Sequence, residues 1–342
     1  TPIGQYISET DNPGFAGTFN GNGKTIRGLY HYGDSAKYAG LFGYSAGTIR
    51  DLAIADAYIH TTHSDGRAGS VTGLNEGTVS NCHNSGFVGG NGQIGGIVGR
   101  MNAGTIENCS NSGTVNGNLD VGGIAGWNRG AIEKCSNSGT ITGNSYVGGV
   151  AGLVSGGTIN NCYNVGSVEA TNECAGGIAG GVQNTSNISN CFSGGPVKVP
   201  SSVGGIVGNV LNNSATNVTI TNGYYDNHVY SGNDIDTIGP QAKVTRTKVE
   251  GKTTEAFSSG EVTWLLNGES AEGVWKQTLN TDAVPGFTGG TVYYGYVDCG
   301  STEAVYTNTI VSTEPVEHDY DNGFCEQVSG QTHYEPATLV TA

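Results

Sequence analysis

The sequence predicts an all-β fold, a right-handed parallel β-helix of about seven coils with a small C-terminal α/β cap. The first observation behind this prediction is a glycine-rich phrase that recurs as GGIVG, GGIAG, GGVAG, GGIAG and GGIVG at 95–99, 122–126, 148–152, 176–180 and 204–208, with weaker copies at 69–73 and 40–43. The closing glycines are 30, 26, 27, 26, 28 and 28 residues apart. Repetition at a period of this size is typical of a stacked architecture in which each repeat forms one layer.

The second observation is that five cysteines follow the same period. They are separated by 27, 26, 27 and 29 residues: Cys82, Cys109, Cys135, Cys162 and Cys191. With one cysteine per layer, we expect a buried column of reduced thiols, because free cysteine packs as a small hydrophobic residue. Parallel side chains on adjacent layers leave poor torsion angles for a disulfide. No histidine recurs beside the cysteines, so metal binding is not expected.

The third observation is that short strand-like runs alternate with Gly, Asn and Ser corners. The repeat at 121–147, VGGIAGWNRGAIEKCSNSGTITGNSYV, divides into three predicted strands at 121–125, 131–136 and 140–142. Strict alternation would place Ile132 and Cys135 on opposite faces. We therefore predict a bend or bulge near Glu133 and Lys134 that turns both side chains inward. Right-handed winding follows from the usual chirality of parallel crossovers.

Asparagine also recurs immediately before the cysteine in most repeats. Stacked asparagine amides pair between layers in other β architectures. We therefore expect an amide ladder formed by Asn81, Asn108, Asn161 and Asn190.

The composition shift along the chain predicts four segments. Residues 1–39 form an N-terminal capping coil, in which Phe15, Phe19, Ile26 and Leu29 cover the first layer, and 40–250 form the repeat β-helix. Residues 251–297 form a C-terminal cap with one short helix at 254–266. Residues 298–342 are a polar tail or a small appended module. Because the chain opens in the middle of a motif, we expect it to be part of a longer multidomain protein.

Charge and hydropathy exclude several classes of partner. The chain has 29 acidic and 14 basic residues, a net charge of −15. Nucleic acids and anionic membranes both require a basic footprint, so neither is an expected partner. The apolar runs are too short for membrane insertion. An acidic surface with few charges overall favours an extracellular or cell-surface location.

Two short motifs resemble catalytic or nucleotide-binding signatures but are better explained as repeat corners. The G-x-S-x-G at 43–47 places Ser45 at the corner that Asn75 and Asn128 occupy in other repeats, whereas a hydrolase elbow requires a following helix. The G-x-G-x-x-G at 90–95 is followed by the next strand rather than by a helix. Both are predicted to be turns.

Two sets of acidic residues leave alternatives open. Asp226, Asp234 and Asp236, together with Asn227 and Asn233, are either a calcium site or a solvated loop, and no EF-hand spacing is present. Glu107 and Glu133 occupy nearly equivalent positions one layer apart, as the paired carboxylates of a glycan-cleaving groove would. Asn160 takes that position in the following layer, which favours a solubilising role. No catalytic, cofactor-binding or metal-ligating residue is therefore predicted.

The tetrad GLFG at 40–43 and its GGIVG-type variants resemble the GLUG motif, and 15–26 (FAGTFNGNGKTI) resembles the start of the same arrays. The resemblance covers about residues 15–225. It implies a β-solenoid of a large bacterial surface or secreted protein. Such arrays also occur in some immunoglobulin A-cleaving metallopeptidases, where they lie outside the catalytic domain.

A second resemblance covers 257–337. FSSGEVTWLLNG at 257–268 and WKQT at 275–278 look like the segment that follows such arrays in secreted Gram-positive gut proteins. HDYDNGFC at 318–325 resembles a short unit that usually carries Cys-x-x-Cys-Gly. Here Cys325 is followed by Glu326 and no second cysteine, so a metal-binding role is not carried over. A disulfide between Cys299 and Cys325 stays an open alternative.

These observations predict a non-catalytic repeat module of a bacterial surface or secreted protein, without a cofactor. It would act as an adhesin, a binding surface or a structural spacer, with a glycan or host protein bound along one face of the coils. The alternative is a glycan-active β-helix enzyme, a polysaccharide lyase or glycosidase, that uses surface carboxylates such as Glu107 and Glu133.

Overall fold

The computed structural model describes residues 2–4, 14–34, 37–212, 215–230, 232–296 and 304–308. The chain divides into two compact units, Thr1–Gly251 and Lys252–Ala342. The first unit is a parallel β-solenoid of about eight turns, which confirms the predicted β-helix. Its core is a continuous column of buried Val, Ile, Ala and Cys side chains. The finer boundaries after residues 39 and 297 stay predictions.

Each complete coil contributes to four sheets, which we number in the order in which the chain passes through them. The predicted division into three strands is wrong, because two of the three predicted strands are each divided in two. The glycine pair divides the predicted strand at 121–125 into Val121–Gly122 and Ala125–Asn128, and these belong to different sheets. The predicted strand at 131–136 is likewise divided into Ala131–Glu133 and Ser136–Asn137, both in sheet 1. Glycine backbones make such sharp corners at low cost.

Sheets 1 and 2 carry the strands that follow each GGIVG-type phrase. Sheet 1 contains Thr18–Arg27, Thr48–Ala55, Thr78–Asn84, Thr105–Glu107, Ser110–Asn111, Ala131–Glu133, Ser136–Asn137, Thr158–Asn160, Tyr163–Asn164, Thr185–Ser193, Asn217–Asp226 and Lys243–Lys252. Sheet 2 contains Tyr30–Gly33, Tyr58–Thr61, Phe87–Gly90, Val115–Gly117, Ile141–Gly143, Val168–Ala170 and Val197–Lys198.

Sheets 3 and 4 carry the phrase itself. Sheet 3 contains Tyr38–Ala39, Arg67–Ala68, Gln93–Gly95, Val121–Gly122, Val147–Gly148, Ala175–Gly176 and Val203–Gly204. Sheet 4 contains Phe42–Ser45, Thr72–Asn75, Val98–Met101, Ala125–Asn128, Ala151–Ser155, Ala179–Gln183, Val207–Val210 and Ile235–Ile238. Strands of consecutive coils pair in parallel, so that equivalent residues stack; Ile106 lies opposite Ile132, for example.

The predicted bend before the cysteine is confirmed. Lys134 adopts a left-handed backbone conformation with φ of 50°, and Ile132 and Cys135 on either side of it are both fully buried. One left-handed residue between them therefore turns two residues of opposite strand parity toward the same core.

The same conformation explains why the predicted amide ladder is wrong. The four predicted asparagines occupy the left-handed position, with φ between 51° and 53°: Asn81, Asn108, Asn161 and Asn190. Asparagine tolerates this conformation better than other residues with a side chain. No two of the four bond to each other; Asn81, for instance, donates to the Asp51 carboxylate at 2.9 Å.

The amide ladder lies two residues after the cysteine instead. Its members are Asn84, Asn111, Asn137 and Asn164, and Nδ2 of each of the first three donates to Oδ1 of the next member at 2.8 Å. Each amide also bonds the backbone of the glycine two residues later, as at Gly139. The column ends at Ser193, whose buried hydroxyl has no hydrogen-bond partner among the described residues.

The predicted column of reduced cysteines is confirmed. All six cysteines among the described residues are free and buried. Along the column the backbone N–H of Cys109 lies 3.4 Å from Sγ of Cys135, and the same distance recurs for its neighbours. Burial raises the pKa of the Cys109 and Cys162 thiols. Cys299 and Cys325 lie outside the described residues, so their disulfide stays a prediction.

The first coil closes the core of the solenoid at one end. Its strand Thr18–Arg27 pairs with Thr48–Ala55, with an irregular register between Asn20 and Lys24. The expected cover is confirmed by four partly buried side chains packed on the core: Phe15, Phe19, Ile26 and Leu29.

The second unit contains two short helices where the sequence predicts one. Helix α1 spans Thr254–Ser259 and helix α2 spans Glu261–Leu266. Gly260, with φ of 99°, separates them, because a left-handed residue ends a helix. Two antiparallel strands, Tyr293–Tyr296 and Ala304–Thr307, complete the described part of this unit. No described helix is long and apolar enough to span a membrane.

The closing glycine of each phrase lets sheets 3 and 4 approach backbone to backbone. A Cβ added to Gly126 of sheet 4 would lie 2.4 Å from the backbone nitrogen of Ile94 in sheet 3. A Cβ added to Gly95 would in turn lie 2.7 Å from the backbone nitrogen of Gly126. Since Ile94 points into the core, Gly95 lies on the outer face of sheet 3. The outer faces of sheets 3 and 4 therefore meet, and the cross-section has a re-entrant corner.

Gly126→Ala is expected to destabilise the solenoid by at least about 2 kcal/mol, because the added methyl group meets backbone atoms that cannot rotate away. Chemical denaturation of the parent and the variant measures the difference. Gly17→Ala is the matched control, since its nearest new neighbour would be a Phe15 ring carbon at 3.5 Å. Equal stability of the parent and Gly126→Ala would contradict the close approach of the two sheets.

Asn137→Ala is expected to lower the free energy of unfolding by at least about 2 kcal/mol, because buried partners in Asn111, Gly139 and Asn164 lose their hydrogen bonds. Urea denaturation followed by circular dichroism measures the loss. The exposed neighbouring position provides the control, Ser138→Ala, which should unfold at the parent midpoint. An unchanged midpoint for Asn137→Ala would show that the ladder does not stabilise the fold.

Candidate binding surface

Five aromatic side chains cluster on the outer face of sheet 2. In the strands Tyr58–Thr61 and Phe87–Gly90, Ile59 and Val88 are fully buried in the core. Because side chains alternate along a strand, the residues that flank them point outward. The same alternation in the first three coils assembles the aromatic strip, which consists of Tyr30, Tyr32, Tyr58, His60 and Phe87.

The rings of the aromatic strip stack in two columns. In the first column, the ring centroids of Tyr30 and Tyr58 are 5.8 Å apart and those of Tyr58 and Phe87 are 4.9 Å apart. In the second column, Tyr32 and His60 are 5.5 Å apart with their planes within 18°. Parallel in-register strands lie about 4.8 Å apart, so equivalent aromatic residues on successive coils are forced into near-parallel stacks.

The strip is unusually open to solvent for aromatic side chains. The exposed fractions are 72% for Tyr30, 59% for Tyr32 and 40% for Tyr58. Aromatic residues that cluster at the surface mark interaction sites far more often than isolated ones do. Among the described residues, Tyr30 stacks only on Tyr58, with one face of its ring. The terminal ring therefore offers an open face, and the remaining rings offer edges and hydroxyl groups.

The strip has definite ends along the solenoid. Gly89 follows His60 in the second column, and a Cβ there would lie 2.7 Å from His60 Nδ1. The absence of a side chain at Gly89 thus leaves room for the imidazole ring. Farther along the same face the outward residues are polar or charged: Asn116 Nδ2 donates to Thr142 Oγ1 at 2.8 Å, and Glu169 and Lys198 follow on the next two coils. The aromatic surface is confined to the first three coils.

The strip suits an uncharged ligand with apolar and hydroxylated faces. It contains no carboxylate, ammonium or guanidinium group. Tyrosine hydroxyls both donate and accept hydrogen bonds, and the ring carbons supply apolar contact area. The arrangement provides binding groups but no nucleophile paired with a base.

The structure confirms that Glu107 and Glu133 lie opposite each other on adjacent coils of sheet 1. Glu107 Oε1 is 3.8 Å from the ammonium group of Lys134, and Asn160 lies opposite Glu133 on the next coil. The two carboxylates are thus neighbours on a parallel sheet, one of them beside a cation.

The acidic residues around 226–236 make separate contacts. Asp234 accepts two hydrogen bonds from Arg246, at 3.0 and 3.2 Å. Asp226 accepts from the backbone N–H of His228, and Asp236 from the Thr237 hydroxyl, each at 2.9 Å. Within the described ranges no three His, Cys, Asp or Glu side chains are grouped as metal ligands. The structure therefore does not bring these three carboxylates together.

The two signature-like motifs are corners of the coil, as predicted. Ser45 lies opposite Asn75 in sheet 4, and it is fully buried. The segment 90–95 connects the strand Phe87–Gly90 of sheet 2 to the strand Gln93–Gly95 of sheet 3. Neither segment is followed by a helix.

Sequence reasoning missed the aromatic strip, although a signal for it exists. Tyr30, Tyr58 and Phe87 are 28 and 29 residues apart, which is the period of the glycine phrase. The residues two positions after these three are Tyr32, His60 and Gly89, respectively. An aromatic residue at an outward strand position in three successive repeats therefore predicts an exposed stack.

Comparison with known proteins supports the repeat character of the chain. The GLUG motif matches residues 90–116, 117–142 and 171–199. Halomucin from Haloquadratum walsbyi (strain DSM 16790 / HBSQ001) is 43% identical over 95 residues, which are 27% of this chain and 1% of halomucin. The chain thus corresponds to a small fraction of that relative's length.

One solved structure shares the fold. It is a protein from Bacteroides ovatus described as a candidate immunoglobulin A1 protease, with a TM-score of 0.51 and 20% sequence identity. The similarity covers 83% of this chain and 80% of the other. At this level of identity the match concerns the fold alone.

Proposed function

Because this chain is a GLUG-motif repeat protein, we propose that it is a non-catalytic module of a bacterial surface or secreted protein, and that its aromatic strip binds a neutral glycan. The observation that carries the proposal is the in-register stack of exposed Tyr30, Tyr58 and Phe87. The similarity to a segment of halomucin supports a role at the cell surface. The net charge of −15 is consistent with an extracellular location.

The chemistry of the strip favours a sugar over other ligands. The apolar C–H faces of a pyranose ring pack on aromatic carbons, and its hydroxyls exchange hydrogen bonds with tyrosine hydroxyls. The open face of Tyr30 can extend the existing stack by one ring. The ring edges and hydroxyl groups that repeat along the coil axis suit a polymer better than a single small molecule, because neighbouring contacts add up.

A spacer role and a glycan-cleaving role are the competing functions. A spacer requires no exposed aromatic cluster. Cleavage rests on Glu107 and Glu133, whose only distinguishing feature is their register on adjacent coils. The strip lies on sheet 2 and these two carboxylates lie on sheet 1, so the proposed binding does not depend on them.

Tyr58→Ala is expected to weaken binding of neutral glycans at least tenfold, which corresponds to about 1.4 kcal/mol, because Tyr58 contacts both neighbours in the first column. The parent protein is first screened on an array of neutral oligosaccharides and host glycoproteins. Affinities of the best ligand for parent and variant are then measured by calorimetry.

Tyr163→Ala is the matched control, since Tyr163 stacks on Phe192 in sheet 1 at 5.0 Å, away from the strip. It should bind like the parent. Failure of the parent to bind any glycan, or binding that survives Tyr58→Ala, would contradict the proposal. Capture of a host glycoprotein after its glycans have been removed would point to protein recognition instead.

A further inference from the structure

The re-entrant corner between sheets 3 and 4 forms a second surface feature. On sheet 3 its wall includes Arg67, Gln93 and Asp120, each of which directly precedes a buried apolar residue and a glycine. On sheet 4 its wall is built from the residues that follow each closing glycine, including Arg100 and Trp127. We call this feature the re-entrant groove. It lies on different sheets from the aromatic strip.

The groove gathers positive charge on an acidic protein. Arg67, Arg100 and Arg129 come together there, whereas the whole chain has only 14 basic residues against 29 acidic ones. Arg67 donates a hydrogen bond to the Tyr38 hydroxyl at 3.0 Å and forms an ion pair with Asp65 at 3.8 Å. Among the described residues no carboxylate lies within ion-pair distance of Arg100 or Arg129.

The Trp127 indole holds these two guanidinium groups. Cζ of Arg100 is 3.4 Å from the centre of the Trp127 ring, and Cζ of Arg129 is 5.9 Å from it. Nε of Arg100 donates to Asn102 at 2.7 Å, and among the described residues its two terminal amino groups have no hydrogen-bond partner. Burial, and to a lesser extent the charge of Arg67, lowers the pKa of Arg100 to about 10, so it stays cationic at neutral pH.

The carboxylates of the groove either accept hydrogen bonds from other side chains or are buried, and neither Glu76 nor Asp120 forms an ion pair with Arg100 or Arg129. Glu76 accepts hydrogen bonds from the Tyr44 hydroxyl at 2.8 Å and from Asn102 at 2.9 Å. Asp120 is 9% exposed and is bonded to Gln93 at 3.4 Å. Burial raises the pKa of Asp120 to about 6. The free hydrogen-bonding capacity of this part of the groove therefore consists mainly of donors.

The wall beyond Trp127 consists mainly of ring and alkyl surface, where burial, together with the nearby exposed carboxylate of Glu173, raises the pKa of Tyr146. Leu153 lies next to Trp127 in sheet 4, and a Cβ added to Gly181 on the following coil would lie 2.6 Å from the Tyr146 ring. Tyr146 and Leu153 therefore close over the glycine and continue the groove with ring and alkyl surface. Guanidinium groups thus lie beside a hydrophobic wall.

We infer that the re-entrant groove binds an acidic saccharide, with a carboxylate held by Arg100 and Arg129 and the sugar ring packed toward Tyr146 and Leu153. Paired guanidinium groups recognise carboxylates through parallel hydrogen bonds. An acidic peptide is disfavoured, because extended peptides gain affinity by adding to a free sheet edge, and the groove is made of sheet faces. This inference is independent of the neutral-glycan proposal for the aromatic strip.

The test titrates the full chain with a hexasaccharide of galacturonate by calorimetry. Arg100→Gln combined with Arg129→Gln is expected to weaken binding at least tenfold, and the exposed Arg129→Gln alone at least threefold. Arg27→Gln combined with Arg50→Gln is the matched control. It removes the same charge from exposed ion pairs with Asp56 and Asp51 on sheet 1, and it should bind like the parent at 150 mM salt.

Two further probes define what is recognised. The methyl-esterified hexasaccharide keeps the sugar but loses the charge, and it should bind the parent as weakly as the double variant binds the acid. A hexamer of glutamate carries carboxylates without sugar rings and should bind at least tenfold more weakly than the galacturonate. The inference is overturned if the galacturonate does not bind, if Arg129→Gln and the double variant bind it like the parent, or if the glutamate hexamer binds equally well.

Discussion

The close approach of sheets 3 and 4 is the constraint on which the rest of the structure depends. A Cβ at Gly126 or Gly152 would lie 2.4 or 2.3 Å from a backbone nitrogen of the facing sheet, so each coil requires glycine at this point. The corner fixes the cross-section of the solenoid, and through it the period of the repeat. It also generates the re-entrant groove, since the side chains next to the glycines must face one another. Shape and surface chemistry thus have a common origin in residues without side chains.

Once the coils are in register, any residue type that recurs with the repeat becomes a column. Buried cysteines make an apolar column, whereas buried asparagines make a hydrogen-bonded one in which each amide also satisfies the glycine backbone of its own corner. Outward aromatic residues make a stack. Departures from the pattern are equally informative: Lys134 replaces asparagine where only a left-handed backbone is required, and Ser193 ends the amide ladder. A column continues only where its side chains pack against, or hydrogen-bond to, the neighbouring coil.

Much of the architecture could be predicted from the sequence, because a repeat turns local patterns into repeated observations. The period, the cysteine column and the bend at Lys134 all follow from spacing and strand parity. The amide ladder could not be placed, because asparagine flanks the cysteine on both sides and serves two different purposes there. One asparagine adopts a left-handed backbone, as Asn108 does, and the other pairs its amide, as Asn111 does. Spacing is identical for both columns and therefore cannot separate them.

The two surface features were harder to predict for different reasons. The aromatic strip could have been predicted from the sequence. Tyr58 and Phe87 each lie next to a core residue in a strand, so the alternation of side chains places them on the outer face. The re-entrant groove could not be predicted, because it forms only when sheets 3 and 4 pack against each other. No local sequence pattern indicates which faces of these sheets are in contact. Arg100 and Trp127 lie 27 residues apart and become partners only through the register of adjacent coils.

The most direct test of this account is to remove one coil. The closing glycines Gly126 and Gly152 are 26 residues apart, so deletion of residues 121–146 should join Asp120 to Val147 in the register of the repeat. We expect this shortened chain to keep the far-ultraviolet circular dichroism per residue and the cooperative thermal transition of the parent. Deletion of residues 121–133, half a coil, should abolish both. Equal tolerance of the two deletions, or loss of structure in both, would contradict a solenoid whose layers are set by its glycine corners.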